Sequence, residues 1–446
     1  MNIKGILKDK ETRQKILNLI YSIGAVAVFN LITQIAYWYF KHRLGDESHG
    51  VILSVISLIA ITAGTFGYAV NCARMLGLEK GRTNNGDYNL ILLAMGFLGS
   101  LIGIGYLFQL GITSPVYLIL YVVLMYTTMI RYYADVEFRL NVNFFRYMIF
   151  YLLISLGYVA GLFVFKLTGI WMLTLILGES LAFLYVLCCG SIFRAPFLKP
   201  SEHFRPILAS IWFLLISTLI ENVALHADRI VLLAITGEGE YVSTYYIASL
   251  AGKIIAMLTV PINSLIISYL VRYKGGLTRK LWTVVIGVAI IGGVLGFLGC
   301  MLISPVLINL LSLPAPMEAL KTALTSDSPV KALLDQFFFN DSVEAIKYML
   351  PAVLGQIFYF VSGVLALILL RFKGEKKQFI FNTAYAVEFF AVVIVGTLLG
   401  DLNGFVWAIV IANAVRFVAA IVWGFLGKKK PPENTEAVEA NAQPEA

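Results

Sequence analysis

Apolar stretches of about 20 residues recur from residue 16 to residue 426, and they constrain the fold more than any other feature. A helix needs about that many apolar residues to cross the hydrocarbon core of a bilayer. Hydrophobic residues make up 59% of the 446 residues and charged residues only 13%, whereas soluble domains are about a quarter charged. The sequence therefore predicts an all-α, polytopic membrane protein.

These stretches predict twelve transmembrane helices, an even number that leaves both termini on one side. Their approximate limits are 16–40, 51–70, 90–110, 116–130, 147–165, 169–189, 207–235, 242–271, 282–309, 345–370, 379–400 and 405–426. With the N-terminus inside, the inner segments carry 25 lysines and arginines and the outer segments carry 5. The positive-inside rule then predicts cytoplasmic N- and C-termini. The same asymmetry explains the net charge of +8 without nucleic acid as a partner.

The remaining segments are short, and none has a catalytic appearance. Residues 1–15 alternate isoleucine and leucine with lysine, which predicts an amphipathic segment on the inner leaflet. Residues 427–446 are rich in Pro, Glu and Ala and predict a disordered cytoplasmic tail. Residues 310–344 form an outer insertion. The four cysteines have neither disulfide nor metal-ligand spacing, so we expect no metal and no cofactor.

A faint internal repeat divides the predicted helices into two sets of six. Residues 44–50 (LGDESHG) and 236–241 (TGEGEY) each follow the first helix of a set. Two six-helix halves of the same orientation are a common plan in secondary transporters. The sequence thus predicts an N-lobe at 16–189, a cytoplasmic linker at 190–206 and a C-lobe at 207–426.

Four stretches, in order along the chain, carry a family resemblance. They are 43–50, 67–74, 227–248 with its Ala-Asp-Arg start, and 339–371 with Gln356. In these stretches the sequence resembles the Wzx-type polysaccharide flippases of the multidrug/oligosaccharidyl-lipid/polysaccharide exporter (MOP) superfamily. The insertion near 311–335 departs from the family pattern.

The resemblance implies two six-helix lobes around a central cavity that opens alternately to each side of the bacterial cytoplasmic membrane. It implies a transporter, not an enzyme, that moves a polyprenyl-diphosphate-linked oligosaccharide from the inner to the outer leaflet for cell-surface polysaccharide assembly. The expected partners are this lipid-linked oligosaccharide, membrane lipids, and the glycosyltransferases and polymerase of the same assembly. We expect the protein to be a monomer.

Ionisable residues inside the hydrocarbon are costly and therefore mark candidate functional sites. Lys253 and Arg416 each lie roughly 16 Å from the outer end of their predicted helices, close to mid-membrane. A basic pair can compensate the charge of a diphosphate, and Arg229 is a third candidate. The alternative is that Lys253 and Arg416 pair with Glu221 or Glu388 as ties between helices.

Other intramembrane polar residues fall into two groups. The acidic group could couple transport to a cation and comprises Glu221, Asp228 and Glu388. The second group could line a cavity and bind sugar hydroxyls, although hydrogen bonds between helices explain it equally well: Asn30, Gln34, Arg74 and Gln356. For Glu179 we expect a paired or cytoplasm-facing carboxylate.

Four other functions are alternatives to a polysaccharide flippase. A membrane glycosyltransferase or polymerase needs convergent acid, base or metal groups, and the four histidines form no metal-ligand pair. A cation-coupled drug antiporter of the same superfamily is the nearer alternative, but its typical acidic residue in the first helix is absent from 16–40. Peptidoglycan-precursor flippases commonly have fourteen helices. An unrelated twelve-helix facilitator remains a further alternative.

Overall fold

The structure is a computed structural model, and it describes residues 10–78, 82, 84–140, 143–257, 276–312, 322, 325, 328–337, 343–373 and 375–426. The described chain is helical, with no strand. In chain order the helices are α1 (Lys10–Leu78), α2 (Asn85–Gln109), α3 (Pro115–Leu140), α4 (Phe144–Thr168), α5 (Met172–Cys189), α6 (Phe204–Thr236), α7 (Gly239–Met257), α8 (Arg279–Ser312), α9 (Pro329–Phe337), α10 (Ala345–Lys373) and α11 (Glu375–Phe425).

Among the described residues, eight helices are long and apolar enough to cross a membrane. Two of them have stretches of double length, Gly24–Met75 and Lys377–Phe425. The first is interrupted at Gly45, whose φ of 83° is accessible to glycine at little cost, and the second at Gly400 and Asp401. Each double stretch covers two predicted helices, and the predicted loops 41–50 and 401–404 are helical apart from these breaks.

The structure modifies some predicted limits and leaves others as predictions. The described part of α1 begins at Lys10 and continues into the first predicted span, and the predicted boundary at residue 15 stays a prediction. Helices α6 and α7 lie at the seventh and eighth predicted spans, but residues 258–271 lie outside the described part. The count of twelve helices stays a prediction. So does the disordered tail at 427–446, which is also outside the described part.

The chain divides into two compact units, residues 1–230 and 231–446. The dividing point falls within α6, whereas the predicted linker at 190–206 precedes that helix. In the first unit this linker is held against α2, because Asn85 donates to the carbonyls of Ser191 and Arg194 and Asn89 donates to that of Phe197. The predicted lobe limits stay a prediction.

Each unit has its own hydrophobic core. All six helices from α1 to α6 contribute side chains to the core of the first unit. This core contains large aromatic side chains such as Phe40, Tyr121 and Phe150, each at most 1% exposed. Small residues allow its helices to approach closely, since a Cβ on Gly157 of α4 would lie 2.4 Å from Cα of Gly178 of α5. In the second unit, the core around Trp282 joins α8, α10 and α11.

Candidate functional site

The second unit contains a buried lysine among tyrosines of α7. Lys253 is 9% exposed, and its Nζ lies 4.9 Å from the ring centre of Tyr245 and 5.8 Å from that of Tyr246. The spacing of seven and eight residues places these side chains two turns apart on one face of the helix. The electron-rich faces of the rings attract the ammonium group. The local sequence thus holds a cation inside an apolar unit.

Helix α10 connects to this lysine through Gln356. The Nε2 of Gln356 donates to the hydroxyl of Tyr245 at 3.5 Å. The two helices are very close here, because a Cβ added to Gly252 would lie 2.7 Å from Cβ of Gln356. Gly252 is therefore what allows Gln356 to reach the face of α7 that carries Lys253.

Arg416 of α11 occupies a similar aromatic environment. Its guanidinium carbon lies 4.2 Å from the ring centre of Tyr385 and 5.1 Å from that of Tyr359. Its Nε and Nη1 atoms are buried, with no hydrogen-bond partner among the described residues. Arg416 also forms no ion pair within the described part of the chain. Two guanidinium N–H donors are thus available to an acceptor such as an anion.

Asn413 fixes the tyrosine that lies beside Arg416. This asparagine is 2% exposed, its Oδ1 accepts from the hydroxyl of Tyr385 at 2.7 Å, and its Nδ2 donates to the carbonyl of Gly355 at 3.1 Å. These bonds join the two parts of α11 to α10 next to Gln356. Sequence reasoning missed Asn413, although a single asparagine inside an apolar span is a signal for a buried hydrogen bond.

These contacts place three predicted site residues in one connected arrangement, which we call the unit-2 cluster. Gln356 and Tyr359 lie three residues apart on one face of α10. Gln356 contacts Tyr245, whose ring lies beside Lys253, and Tyr359 contacts Arg416. The unit-2 cluster comprises Lys253, Tyr245, Gln356, Tyr359, Tyr385 and Arg416. The predicted ion-coupling residue Glu388 lies three residues after Tyr385, and its Oε1 is buried without a hydrogen-bond partner among the described residues.

The first unit contains a buried ion pair. The Nε of Arg131 in α3 lies 2.9 Å from Oε1 of Glu179 in α5, with side-chain exposures of 11% and 1%. The hydroxyl of Tyr158 donates to the same oxygen, and the guanidinium carbon lies 4.4 Å from the ring centre of Tyr132 and 5.1 Å from that of Phe29. The expectation that Glu179 is paired is therefore confirmed. Sequence reasoning counted Arg131 with the inner flank because it ended that span at residue 130.

Arg74 and its neighbour Asn71 connect helices in the first unit. Arg74 donates to the hydroxyl of Tyr133 at 2.5 Å and to Oδ1 of Asn85 at 2.6 Å. The Nδ2 of Asn71 donates to the carbonyl of Tyr132 at 3.0 Å. Interhelical bonds of this kind are the alternative that the sequence left open for these residues. A role of Arg74 in binding substrate stays a prediction.

Contacts among the described residues do not join the other predicted site residues of the first unit into one cluster. Asn30 and Gln34 are half-buried on α1. Asp228 and Arg229 are buried in the last third of α6, where Oδ1 of Asp228 accepts from the backbone N–H of Arg229. The side chain of Glu221 lies outside the described part. Among the described residues, no group of His, Cys, Asp and Glu side chains could hold a metal ion.

The two helical units have the fold of MOP-superfamily transporters. Structural neighbours at 13–16% identity show this fold, and they are transporters rather than enzymes. No family model and no curated protein sequence matches the chain.

Three solved structures represent these neighbours. An inward-facing multidrug resistance MATE family transporter of the MOP superfamily has a TM-score of 0.62 and 16% identity, over 93% of this chain and 96% of its own. The lipid II flippase MurJ in an inward closed conformation has a TM-score of 0.57 and 14% identity, over 91% and 87%. The Vibrio cholerae MATE transporter VcmN in its bent form has a TM-score of 0.54 and 13% identity, over 92% and 94%.

Proposed function

We propose that the protein transports a polyprenyl-diphosphate-linked oligosaccharide from the inner to the outer leaflet of the bacterial cytoplasmic membrane. In this proposal the unit-2 cluster binds the diphosphate. Lys253 and Arg416 supply the positive charge, and Gln356 supplies a neutral hydrogen-bond donor between them. The proposal includes a monomeric protein that receives its substrate from glycosyltransferases and delivers it to a polysaccharide polymerase.

The environment of Arg416 is the observation that carries the proposal. Charged groups inside a protein normally find a partner of opposite charge, because the loss of hydration is costly. Arg416 has two tyrosine rings and two N–H groups without a partner among the described residues. Hydrogen bonds between a guanidinium and a phosphate are among the strong ones in proteins. A diphosphate would therefore satisfy donors that the described protein atoms leave unsatisfied.

The buried ion pair of the first unit bears on the antiporter alternative. A cation-coupled drug antiporter needs a carboxylate that can bind a cation or a proton during the cycle. The buried carboxylate of Glu179 already has the guanidinium of Arg131 at 2.9 Å. This pairing argues against Glu179 as a cation site.

One observation favours the antiporter as a second candidate. The Oε1 of Glu388 is buried without a hydrogen-bond partner among the described residues, and such a carboxylate could exchange a proton or a cation. The fold is compatible with both functions, since its neighbours include MATE transporters and a flippase.

A reconstitution experiment distinguishes the two functions. The full chain is placed in liposomes with a fluorescent lipid-linked oligosaccharide, and a membrane-impermeant quencher reports on the leaflet that holds the label. Parallel liposomes contain a cationic dye and an imposed proton or sodium gradient. We expect movement of the lipid-linked oligosaccharide and no gradient-driven dye export. Dye export without movement of the lipid-linked oligosaccharide would contradict the proposal.

A further inference from the structure

A polar pocket lies in the first unit where three helices reach the edge of the apolar layer. The membrane-crossing part of α3 ends at Phe138, that of α4 begins at Phe144, and that of α5 ends at Cys189. The pocket is small, with a volume of about 20 Å³, and residues of all three helix ends line it. We call it the α3–α5 pocket. Helix ends of this kind lie at the level of the lipid headgroups.

The lining of the α3–α5 pocket carries both signs of charge. Glu137 of α3 contributes a carboxylate, which is held in place because its Oε2 accepts from the backbone N–H of Ser191 at 3.0 Å and from the Ser191 hydroxyl at 2.8 Å. Arg146, in the first turn of α4, contributes an exposed guanidinium. Asn143 caps the α4 N-terminus, because its Oδ1 accepts from the backbone N–H of Arg146 at 3.2 Å, and the helix dipole adds a partial positive charge at this end.

An aromatic residue completes the lining. Tyr185 of α5 stacks on Phe138 of α3 with ring centres 6.5 Å apart and planes 17° apart. A tyrosine ring beside a carboxylate favours a small cation through its electron-rich face. The guanidinium and the helix N-terminus favour a phosphate. The pocket therefore suits a small molecule that carries an ammonium and a phosphate together.

The size and position of the pocket narrow the choice further. The space open to water-sized groups is only about 20 Å³, so the pocket can take an ammonium group but neither a whole headgroup nor an oligosaccharide. We propose that the α3–α5 pocket binds the ammonium end of a phospholipid with a primary ammonium, such as phosphatidylethanolamine, whose phosphate stays outside the pocket at the exposed Arg146. The ammonium donates to Glu137, and the phosphate accepts from Arg146. The proposal does not depend on which substrate the protein transports.

The proposed contact explains a preference between lipids. A primary ammonium has three N–H donors for the carboxylate, whereas the trimethylammonium of phosphatidylcholine has none. An anionic headgroup such as that of phosphatidylglycerol would satisfy Arg146 but would bring its negative charge near Glu137. Phosphatidylethanolamine is therefore expected to occupy the pocket more fully than either of the other lipids.

Cys189 lines the pocket and provides a direct probe of its occupancy. The test uses the full chain with Cys72→Ala, Cys188→Ala and Cys300→Ala, so that Cys189 is its single cysteine. The rate of maleimide labelling is measured in nanodiscs of phosphatidylcholine alone and in nanodiscs with added phosphatidylethanolamine or phosphatidylglycerol. We expect phosphatidylethanolamine to slow labelling by about fivefold through occupancy of the site. Phosphatidylglycerol is expected to slow it much less.

Two variants and a matched control separate this site from general effects of the bilayer. Arg146→Gln should remove the protection, whereas Arg194→Gln, at an exposed arginine outside the pocket, should retain it. Glu137→Gln is an independent test. In this variant, labelling of Cys189 in nanodiscs with phosphatidylethanolamine should be as fast as in phosphatidylcholine alone. Equal labelling rates in all three lipids, equal protection by phosphatidylglycerol, or full protection in Arg146→Gln would each overturn the proposal.

Discussion

Two partly buried arginines differ in what compensates their charge. Arg131 in the first unit has the carboxylate of Glu179, whereas Arg416 in the second unit has two tyrosine rings. A full opposite charge compensates a guanidinium far more completely than ring faces do. We therefore interpret Arg131 as a structural residue and Arg416 as a residue that is ready to accept an anion.

The first prediction concerns the ion pair between Arg131 and Glu179. Arg131→Met leaves a buried carboxylate without its counter-charge, and loss of one partner of a buried pair typically costs about 3–5 kcal/mol. We expect a clearly lower melting temperature in detergent, and a partial recovery in the double variant Arg131→Met, Glu179→Gln.

A half-exposed ion pair provides the control for this prediction. Lys41 lies 3.2 Å from Asp46, with side-chain exposures of 14% and 44%. Because water screens such a pair, Lys41→Met should cost less than about 1 kcal/mol. Equal melting temperatures for Arg131→Met and Lys41→Met would show that the buried pair has no special structural role.

The second prediction concerns the acidic residues proposed for ion coupling. If the diphosphate is the charge that crosses the membrane, Glu388→Gln and Glu221→Gln should each retain most of the transport of lipid-linked oligosaccharide. Transport by the two variants is measured in liposomes at matched protein levels. A loss as large as that of Arg416→Ala would mean that a carboxylate takes part in every cycle.

At the scale of elements, the close contact between α7 and α10 determines the geometry of the unit-2 cluster. Gly252 lies beside Lys253, and a Cβ at this position would lie 2.7 Å from Cβ of Gln356 and 3.3 Å from the backbone of Val353. The Gln356 side chain and the α10 backbone would both have to shift. The hydrogen bond from Gln356 to Tyr245 would then lengthen beyond its present 3.5 Å.

The third prediction follows from this contact. Gly252→Ala should reduce transport by about tenfold, because displacements of about 1 Å in a binding site can have larger effects than that. Gly292→Ala is the matched control, since a Cβ there would have no atom within 4 Å. Both variants are compared in the liposome assay after size-exclusion chromatography. Unchanged transport in Gly252→Ala would mean that this contact does not position the site.

The sequence predicted the helices well because their signal is local. Each apolar run contains enough residues to form and bury a helix, and the described parts of the predicted spans are helical except at a few ends, such as 169–171. The loops were predicted less well, because residues 41–50 and 401–404 are helical apart from the breaks at Gly45 and at Gly400 and Asp401. Polarity alone indicates a loop, whereas the backbone needs only one or two non-helical residues to form a kink.

The candidate site was predictable only in part. The cost of charge in an apolar span identified Lys253 and Arg416 from the sequence. Their tyrosine partners come from other turns or other helices, so no local pattern could select these rings among the chain's 23 tyrosines. Asn413 and the partner of Glu179 were missed for the same reason, since packing between helices sets these contacts.

At the scale of the whole molecule, the fold is similar to that of solved transporters, and the predicted orientation in the membrane can be tested directly. We predict that residues 310–344 are outside and that 190–205, 272–280 and 371–378 are cytoplasmic. In a protein without its four native cysteines, Ser328→Cys should react with an impermeant maleimide in intact cells, and Gly276→Cys should react only after lysis. Reaction of Gly276→Cys in intact cells would reverse the predicted topology.

The membrane potential should affect transport of the proposed substrate. A diphosphate carries about two negative charges, and each charge that crosses the full field contributes about 2.3 kcal/mol per 100 mV. An inside-negative potential therefore favours outward movement and needs no dedicated coupling ion. We expect the rate in liposomes to rise when a valinomycin-induced potential of this sign is imposed. A rate independent of the potential would contradict this driving force.

The central claim is that Lys253 and Arg416 bind the diphosphate of the substrate. It is tested most directly by the outward movement of labelled lipid-linked oligosaccharide in liposomes that contain the wild type or the double variant Lys253→Ala, Arg416→Ala. Two strong, charge-assisted contacts are lost in the variant, so we predict a loss of at least about 100-fold at matched levels of folded protein. Wild-type rates in the double variant would contradict the claim.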